Sequence, residues 1–199
     1  MTLVIGLTGG IASGKSTVTS MIKEMGFQIV DADMISREVV KAGESAYHEI
    51  VKQFGPQILK VNKELDREKL GNVIFSDEER RVQLNQIVHP AVRKEMLKKI
   101  QEAKSEKVQA IVLDIPLLFE SKLTNLVDKV LVIYVDEKTQ LSRLMNRNNL
   151  SEQDAKMRIQ SQLSIEKKKE MGDYVIDNSG TIQETKEQLN EIIKKLLSE

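Results

Sequence analysis

Cysteine is absent from this chain of 199 residues, which removes thiol catalysis, thiolate metal sites and a disulfide scaffold together. Histidine occurs twice, too rarely for a multi-histidine zinc site. Aromatic residues make up only 4%, and 30 Lys and Arg are balanced by 30 Asp and Glu. A nucleic-acid-binding module therefore has neither stacking platforms nor a broad positive field to work with. No apolar run approaches the roughly 18 residues of a membrane span, and the opening Met1-Thr2-Leu3-Val4-Ile5-Gly6 lacks the basic start of a secretion signal. The expectation is a cytoplasmic, soluble monomer with neither nucleic-acid nor membrane partners. A chain of this length buries enough apolar surface to fold as one domain with insertions.

What is present is an alternation of short apolar runs and helical patterns. Residues 2–8, 27–33, 109–115, 129–135 and 174–177 are nearly continuously apolar, as strands covered on both faces are. Helix-period stretches between them, such as 16–25 with Val18, Met21, Ile22 and Met25 on one stripe, predict crossovers and hence an α/β fold with a five-stranded parallel sheet. Two intervals are too long for simple crossovers. Residues 34–108 read as helix throughout, with a break at His89-Pro90. Residues 138–172 read as two charged helices parted at Asn148-Asn149, the second opened by the capping box Ser151–Asp154. The Lys167-Lys168-Lys169 run reads as a solvated helix face. Residues 181–198 predict an amphipathic helix capped by Thr181 and Glu184, with Ile182, Leu189, Ile192, Ile193 and Leu196 inward. The expected layout is a nucleotide core of residues 1–33, 109–137 and 173–199, a helical substrate subdomain of 34–108, and a lid of 138–172.

Gly9-Gly10-Ile11-Ala12-Ser13-Gly14-Lys15-Ser16 satisfies G-x-x-x-x-G-K-[ST] at every fixed position, after a strand and before a helix. Glycines let successive backbone N–H groups turn inward as an anion nest, and the helix beginning near Gly14 adds its positive end. Lys15 is placed to reach the β- and γ-phosphates of a nucleoside triphosphate, and the Ser16 hydroxyl to ligate Mg²⁺. A guanine reader is missing, since Asn62-Lys63-Glu64-Leu65 lacks the final Asp. Small size with two helical insertions suits a kinase acting on a small molecule, whose lid excludes water as a competing acceptor. A kinase for nucleoside monophosphates and a nucleotide-dependent switch are the rivals.

Asp33, at the carboxyl end of the second strand, is read either as the base that takes the proton of an attacking hydroxyl or as a helix N-cap. Asp114 ends an apolar strand, where a carboxylate either coordinates Mg²⁺ or caps a loop. The apolar Pro116-Leu117-Leu118-Phe119 that follows packs either a substrate arm or the core. Arg143 and Arg147 share a helix face at i, i+4, either reaching over a triphosphate or facing solvent. His89 is read as a structural histidine or an acceptor contact.

These residues together resemble the dephospho-coenzyme A kinase family. The resemblance runs from Ile5–Ile11 into the phosphate loop, through Asp31-Ala32-Asp33 with Arg37, Phe54-Gly55, Asp66-Arg67 and His89-Pro90. It continues through Asp114–Glu120, Arg143 with Arg147, and Tyr174–Asn178. It implies a P-loop kinase fold that transfers phosphate from ATP to the ribose 3′-hydroxyl of dephospho-coenzyme A, with Mg²⁺. It implies Asp33 as base, and residues 12–17, Thr17 included, together with Gly10 and Ile11, as the ATP-binding loop. Arg143 and Arg147 fall on the lid, and Arg37, His89 and 116–119 near the acceptor. Ala12 stands where many members carry Gly, which asks whether that position has a positive φ.

Overall fold

The computed structural model describes residues 2–75 and 77–198. The chain divides into two compact units, Met1–Val30 with Ile100–Glu199, and Asp31–Lys99. The first is built on a five-stranded parallel sheet in the order β2-β3-β1-β4-β5, with β1 Leu3–Gly9, β2 Gln28–Asp31, β3 Ala110–Asp114, β4 Lys129–Tyr134 and β5 Tyr174–Asp177. The predicted strands are all present, each within two residues of its expected ends.

The register places Leu7 opposite Asp114 and Gly9 opposite Ile133, while Tyr134 pairs with Asp177. Gly9, Asp114 and Asp177 thus come to the same carboxyl edge. β1 is central, and the chain leaves it toward β2 on one side of the sheet, while it leaves β4 toward β5 on the other. The loop after β1 therefore leaves the sheet at the topological switch point, where α/β sheets open a crevice for ligands.

One sheet face carries Ile5, Leu7, Val112, Leu131, Ile133 and Ile176. It packs under Val18 and Ile22 of α1 (Lys15–Glu24) and Leu189, Ile193 and Leu196 of α9 (Ile182–Ser198). Each side chain buried this fully contributes about 1.5–3 kcal/mol relative to exposure. Two expected members of the stripes fall outside the core. Met25 is exposed because it caps α1, and Ile182 is exposed because it opens α9; the inward position there is taken by Thr185. The capping box is made as expected, Thr181 N–H donating to Glu184 Oε2 at 2.7 Å and Glu184 N–H to Thr181 Oγ1 at 3.2 Å.

The interval 138–172 holds three helices rather than two: α6 Glu137–Asn148, α7 Glu152–Gln160 and α8 Ile165–Met171. Ser151 caps α7 as expected. The extra break arises because Ser164 is extended and accepts from Lys167 N–H, opening α8 as a separate helix.

The second unit is helical: α2 Ala32–Glu38, α3 Ser45–Phe54, α4 Arg67–Phe75 and most of α5 Glu78–Ser105. Its core is Tyr47, Ile50, Phe54, Ile58, Leu65 and Leu70. The break expected at His89-Pro90 is absent, since α5 runs through Pro90. A mid-helix proline removes one backbone hydrogen bond. Here Pro90 is exposed, so water can serve the orphaned carbonyl, while Leu84, Ile87 and Val88 pack on the core and hold the helix together.

Candidate active site

The phosphate loop turns tightly after Gly9: Ser13 N–H donates to Gly10 O at 3.1 Å, and Thr17 N–H to Gly14 O at 3.0 Å. Ala12 has φ 60°, so the position does adopt the left-handed region that glycine would take without strain. Gly14 has φ 84°, and a Cβ there would collide with the Asn178 amide. That amide donates to Ser13 O at 2.8 Å and accepts from Thr185 Oγ1 at 2.8 Å, so the end of β5 braces the loop. α1 starts at Lys15 with no side-chain cap and no acidic residue in its first turn. Its leading N–H groups and positive end are left for an anion. Ser16 and Thr17 are exposed at this start.

Two glutamines hold the loop's crest. Ile11 N–H donates to Gln162 Oε1 at 2.9 Å, and Ile11 O accepts from Gln140 Nε2 at 2.8 Å. Ser13 Oγ and Gln140 Oε1 are buried without a hydrogen-bond partner among the described residues. Neither glutamine stands out in the sequence, although Gln140 occupies an inward position of α6 one turn before Leu144, a polar residue on an apolar stripe.

Asp114 is buried and carries two partners. Its Oδ1 forms an ion pair with Lys15 Nζ, and its Oδ2 accepts from Thr19 Oγ1 at 2.8 Å. The loop-capping reading of Asp114 gives way to this arrangement, a carboxylate aimed back at the phosphate loop. Arg143 is half-buried on α6, its Nη1 3.8 Å from where a Cβ of Gly14 would lie, and it has no hydrogen-bonding or ionic partner among the described residues. Arg147, one turn on, is exposed and donates from Nε to Asn148 Oδ1 at 2.9 Å. The first unit therefore brings together Gly10–Thr17, Asp114 and Arg143, and leaves Arg147 at the surface.

The apolar segment after Asp114 divides. Leu118 and Phe119 are buried, Leu118 packed against Gly6 of β1, so both pack in the core. Pro116 is half-buried and Leu117 is 41% exposed. Lys168, expected on a solvated face, is instead fully buried on α8. Tyr134 helps to seat α8 on β4: its hydroxyl donates to Glu166 at 2.6 Å while Lys169 lies 4.1 Å from its ring centroid. That bond and burial push the Tyr134 phenol up to about 12.

In the second unit, the N-cap of α2 is Asp31, whose Oδ1 accepts from Met34 N–H at 2.9 Å. Asp33 lies in the first turn of that helix rather than at the strand end, exposed and relieved of the capping role. Arg37 lines a cleft of about 760 Å³ with Lys41, Lys60, Arg67 and the neighbouring acidic residues Glu64 and Asp66. His89 is exposed on α5, well inside the helix. Among the described residues no cluster of three or more His, Cys, Asp or Glu could hold a metal by itself, and no helix is long and apolar enough to cross a membrane.

The model of the dephospho-CoA kinase family matches residues 3–184. A dephospho-CoA kinase of Bacillus cereus is 59% identical over 195 residues, covering 98% of each chain. The solved structure of dephospho-CoA kinase from Campylobacter jejuni superposes with a TM-score of 0.78 at 30% identity, over 100% of this chain and 98% of that one. Shikimate kinase from Acinetobacter baumannii, at 17% identity and a TM-score of 0.53 over 100% and 94% of the two chains, shares the P-loop kinase fold alone. The matched span takes in the phosphate loop, Asp114, Arg143 and the bracing Asn178 alike, so the likeness is one of the whole site and not of a common loop: this chain belongs to the dephospho-CoA kinase family.

Proposed function

We infer that the protein transfers the γ-phosphoryl group of ATP to the ribose 3′-hydroxyl of dephospho-coenzyme A, giving ADP and coenzyme A. The observation that carries the reading is the unpartnered Arg143 guanidinium set beside a phosphate loop whose lysine rests on Asp114. A half-buried cation without a counter-charge, next to a nest of N–H groups, is arranged for an anion. When the triphosphate enters, Lys15 leaves Asp114 for the β- and γ-oxygens, and Arg143 meets the charge that develops on the transferring group. Residues 138–172 act as the lid, with α6 bringing Arg143 and Arg147 over the phosphates and limiting water.

The acceptor oxygen forms a bond to the γ-phosphorus as the bond to the β–γ bridging oxygen breaks, and ADP departs. Asp33, exposed and not needed as a cap, takes the hydroxyl proton and aims the oxygen. Arg37, His89 and Leu117 are proposed contacts for the acceptor. The hard oxygen donors Ser16 and Asp114 suit Mg²⁺, which takes few protein ligands and completes its shell with phosphates and water. Bound there, the ion supplies charge neutralisation at the phosphates.

The test is ADP release with Mg²⁺ and ATP, with dephospho-coenzyme A present, absent or replaced by nucleoside monophosphates. Release that depends on dephospho-coenzyme A, with coenzyme A as product, is expected; release indifferent to it overturns the reading. Asp33→Asn should lower turnover by roughly 10²–10⁴-fold with nucleotide binding retained. Unchanged turnover in that variant removes Asp33 from the role of base.

A further inference from the structure

Lys168 is a charge that phosphoryl transfer, as derived above, leaves unused. Its side chain is 0% exposed, and a buried ammonium persists only where its three donors are met. They are: Nζ lies 2.9 Å from Glu120 Oε1, 2.9 Å from Pro116 O and 3.3 Å from Gly9 O. Gly9 is the first residue of the phosphate loop. Pro116 stands two residues beyond Asp114, and Glu120 closes the same loop. Glu120 Oε1 also accepts from Leu163 N–H at 3.0 Å, beside the Gln162 that holds Ile11. One ammonium therefore joins the start of the phosphate loop to the loop that carries Asp114.

Lys15 makes a second tie between the same two loops, through Asp114. The two ties differ in permanence. The Lys15 side chain is 18% exposed and must let go of Asp114 to grip a phosphate, whereas Lys168 is enclosed and has carbonyl partners that no substrate displaces. We infer that Lys168 is a positioning residue: it keeps the Asp114 loop in register with the phosphate loop during the interval in which Lys15 is engaged on nucleotide. Glu120 is its anchor, and α8 is the rigid mount, seated on β4 through the Tyr134–Glu166 bond. The inference rests on the nucleotide role of Lys15 given above.

The experiment compares the wild type with Lys168→Met, Glu120→Gln and, as a control, Lys15→Ala. It measures ADP affinity by calorimetry without Mg²⁺, kcat and KM for ATP, and thermal unfolding. Lys168→Met should keep the helix and strand signal in circular dichroism while kcat falls about 100-fold, the cost of roughly 1 Å of misplacement. ADP affinity should fall about tenfold, the loss of one charge-assisted anchor. Glu120→Gln keeps an accepting oxygen and should lose about threefold in each, since only the charge assistance goes. A Lys168→Met protein that melts earlier, yet binds ADP and turns over like the wild type well below its midpoint, overturns the inference and leaves Lys168 a packing residue. If Lys168→Met does not fold, Glu120→Gln decides: wild-type affinity and kcat overturn the inference, and a parallel fall in both supports it. Wild-type ADP affinity in Lys15→Ala would instead refute the nucleotide reading itself, so the two failures are distinguishable.

Discussion

The two units use their polar side chains in opposite ways. Every buried polar or charged residue among the described ones belongs to the sheet unit: Thr2, Thr8, Ser13, Asp114, Gln140, Lys168, Asn178 and Thr185. Most of these sit at the carboxyl edge of the sheet, bonded between elements distant in sequence. The helical unit has an apolar core around Ile50 and Phe54, and its charges lie outside, in pairs three residues apart in the chain such as Lys41–Glu38 at 3.9 Å and Lys69–Asp66 at 3.6 Å. Polar groups locked by buried partners keep a fixed geometry, as a site for developing charge requires. Exposed charges on an apolar scaffold can rearrange at little cost.

The sharpest test of this contrast removes one lysine from each unit. Lys15→Ala strips a buried carboxylate of its ion-pair partner, at a cost of about 3 kcal/mol in stability, and it takes away the proposed phosphate ligand, which should lower turnover by roughly 10²–10³-fold. Lys69→Ala breaks a pair that solvent screens, so its loss should hardly change stability. The Asp66 carboxyl is held below the usual range first by the Lys69 backbone N–H, which alanine retains, and only then by the lysine charge. Turnover should stay at the wild-type level. Steady-state kinetics with thermal unfolding measures both, and similar losses in the two variants would erase the distinction between the units.

A second pair compares backbone positions. Gly14 and Gly43 both have positive φ, 84° and 98°. At Gly43 a Cβ would meet nothing within 4 Å, so Gly43→Ala costs only the left-handed strain, about 1–2 kcal/mol. At Gly14 the same strain is joined by a clash with the Asn178 amide, which has to give up Ser13 O. Gly14→Ala should therefore cost about 2–4 kcal/mol and abolish nucleotide binding. Denaturant unfolding and ADP titration separate the two; equal destabilisation would mean that Asn178 does not brace the loop.

The same division sets what was legible in the sequence. The phosphate loop, the five strands and the caps at Ser151 and Thr181 are local patterns, and a local pattern needs no knowledge of what lies across the fold. Lys168 was hidden because three consecutive lysines look alike until Glu120 and two loop carbonyls select the middle one. Gln140 and Gln162 were hidden for the same reason, their partner Ile11 lying at the other end of the chain. For Pro116–Phe119 substrate arm and core stay open in the sequence, because an apolar loop beside a charged site has no sequence mark that says which side chains turn inward; Leu118 and Phe119 do. In the helical unit the error ran the other way. Proline usually ends a helix, but α5 continues through Pro90 because tertiary packing of Leu84, Ile87 and Val88 outweighs one lost backbone bond. Asp33 changes element: the strand ends earlier than expected, Asp31 takes the cap, and Asp33 falls in the first turn of α2.

Ala12 and Lys63 offer the finest comparison, since both are non-glycine residues in the left-handed region, at φ 60° and 64°. Glycine at either position removes about 1–2 kcal/mol of strain and returns about 0.4–1 kcal/mol through the freer unfolded chain. Each substitution should then raise the melting temperature by only about 1–4 °C in a chain of this size. In the helical unit, where Lys63 sits in an exposed turn, that is the whole effect. In the phosphate loop the strain also restricts the empty loop, because the Ile11 clamp and the Asn178 brace on either side of Ala12 leave alanine few other conformations. Ala12→Gly should therefore gain stability and lose about twofold in nucleotide affinity, as more conformations must be given up on binding. Calorimetric titration beside a melting curve reads the two quantities separately. A glycine at position 12 that stabilises the fold and tightens nucleotide binding together would show that the strain opposes binding, and that the bracing of the loop, not the strain in it, prepares the site.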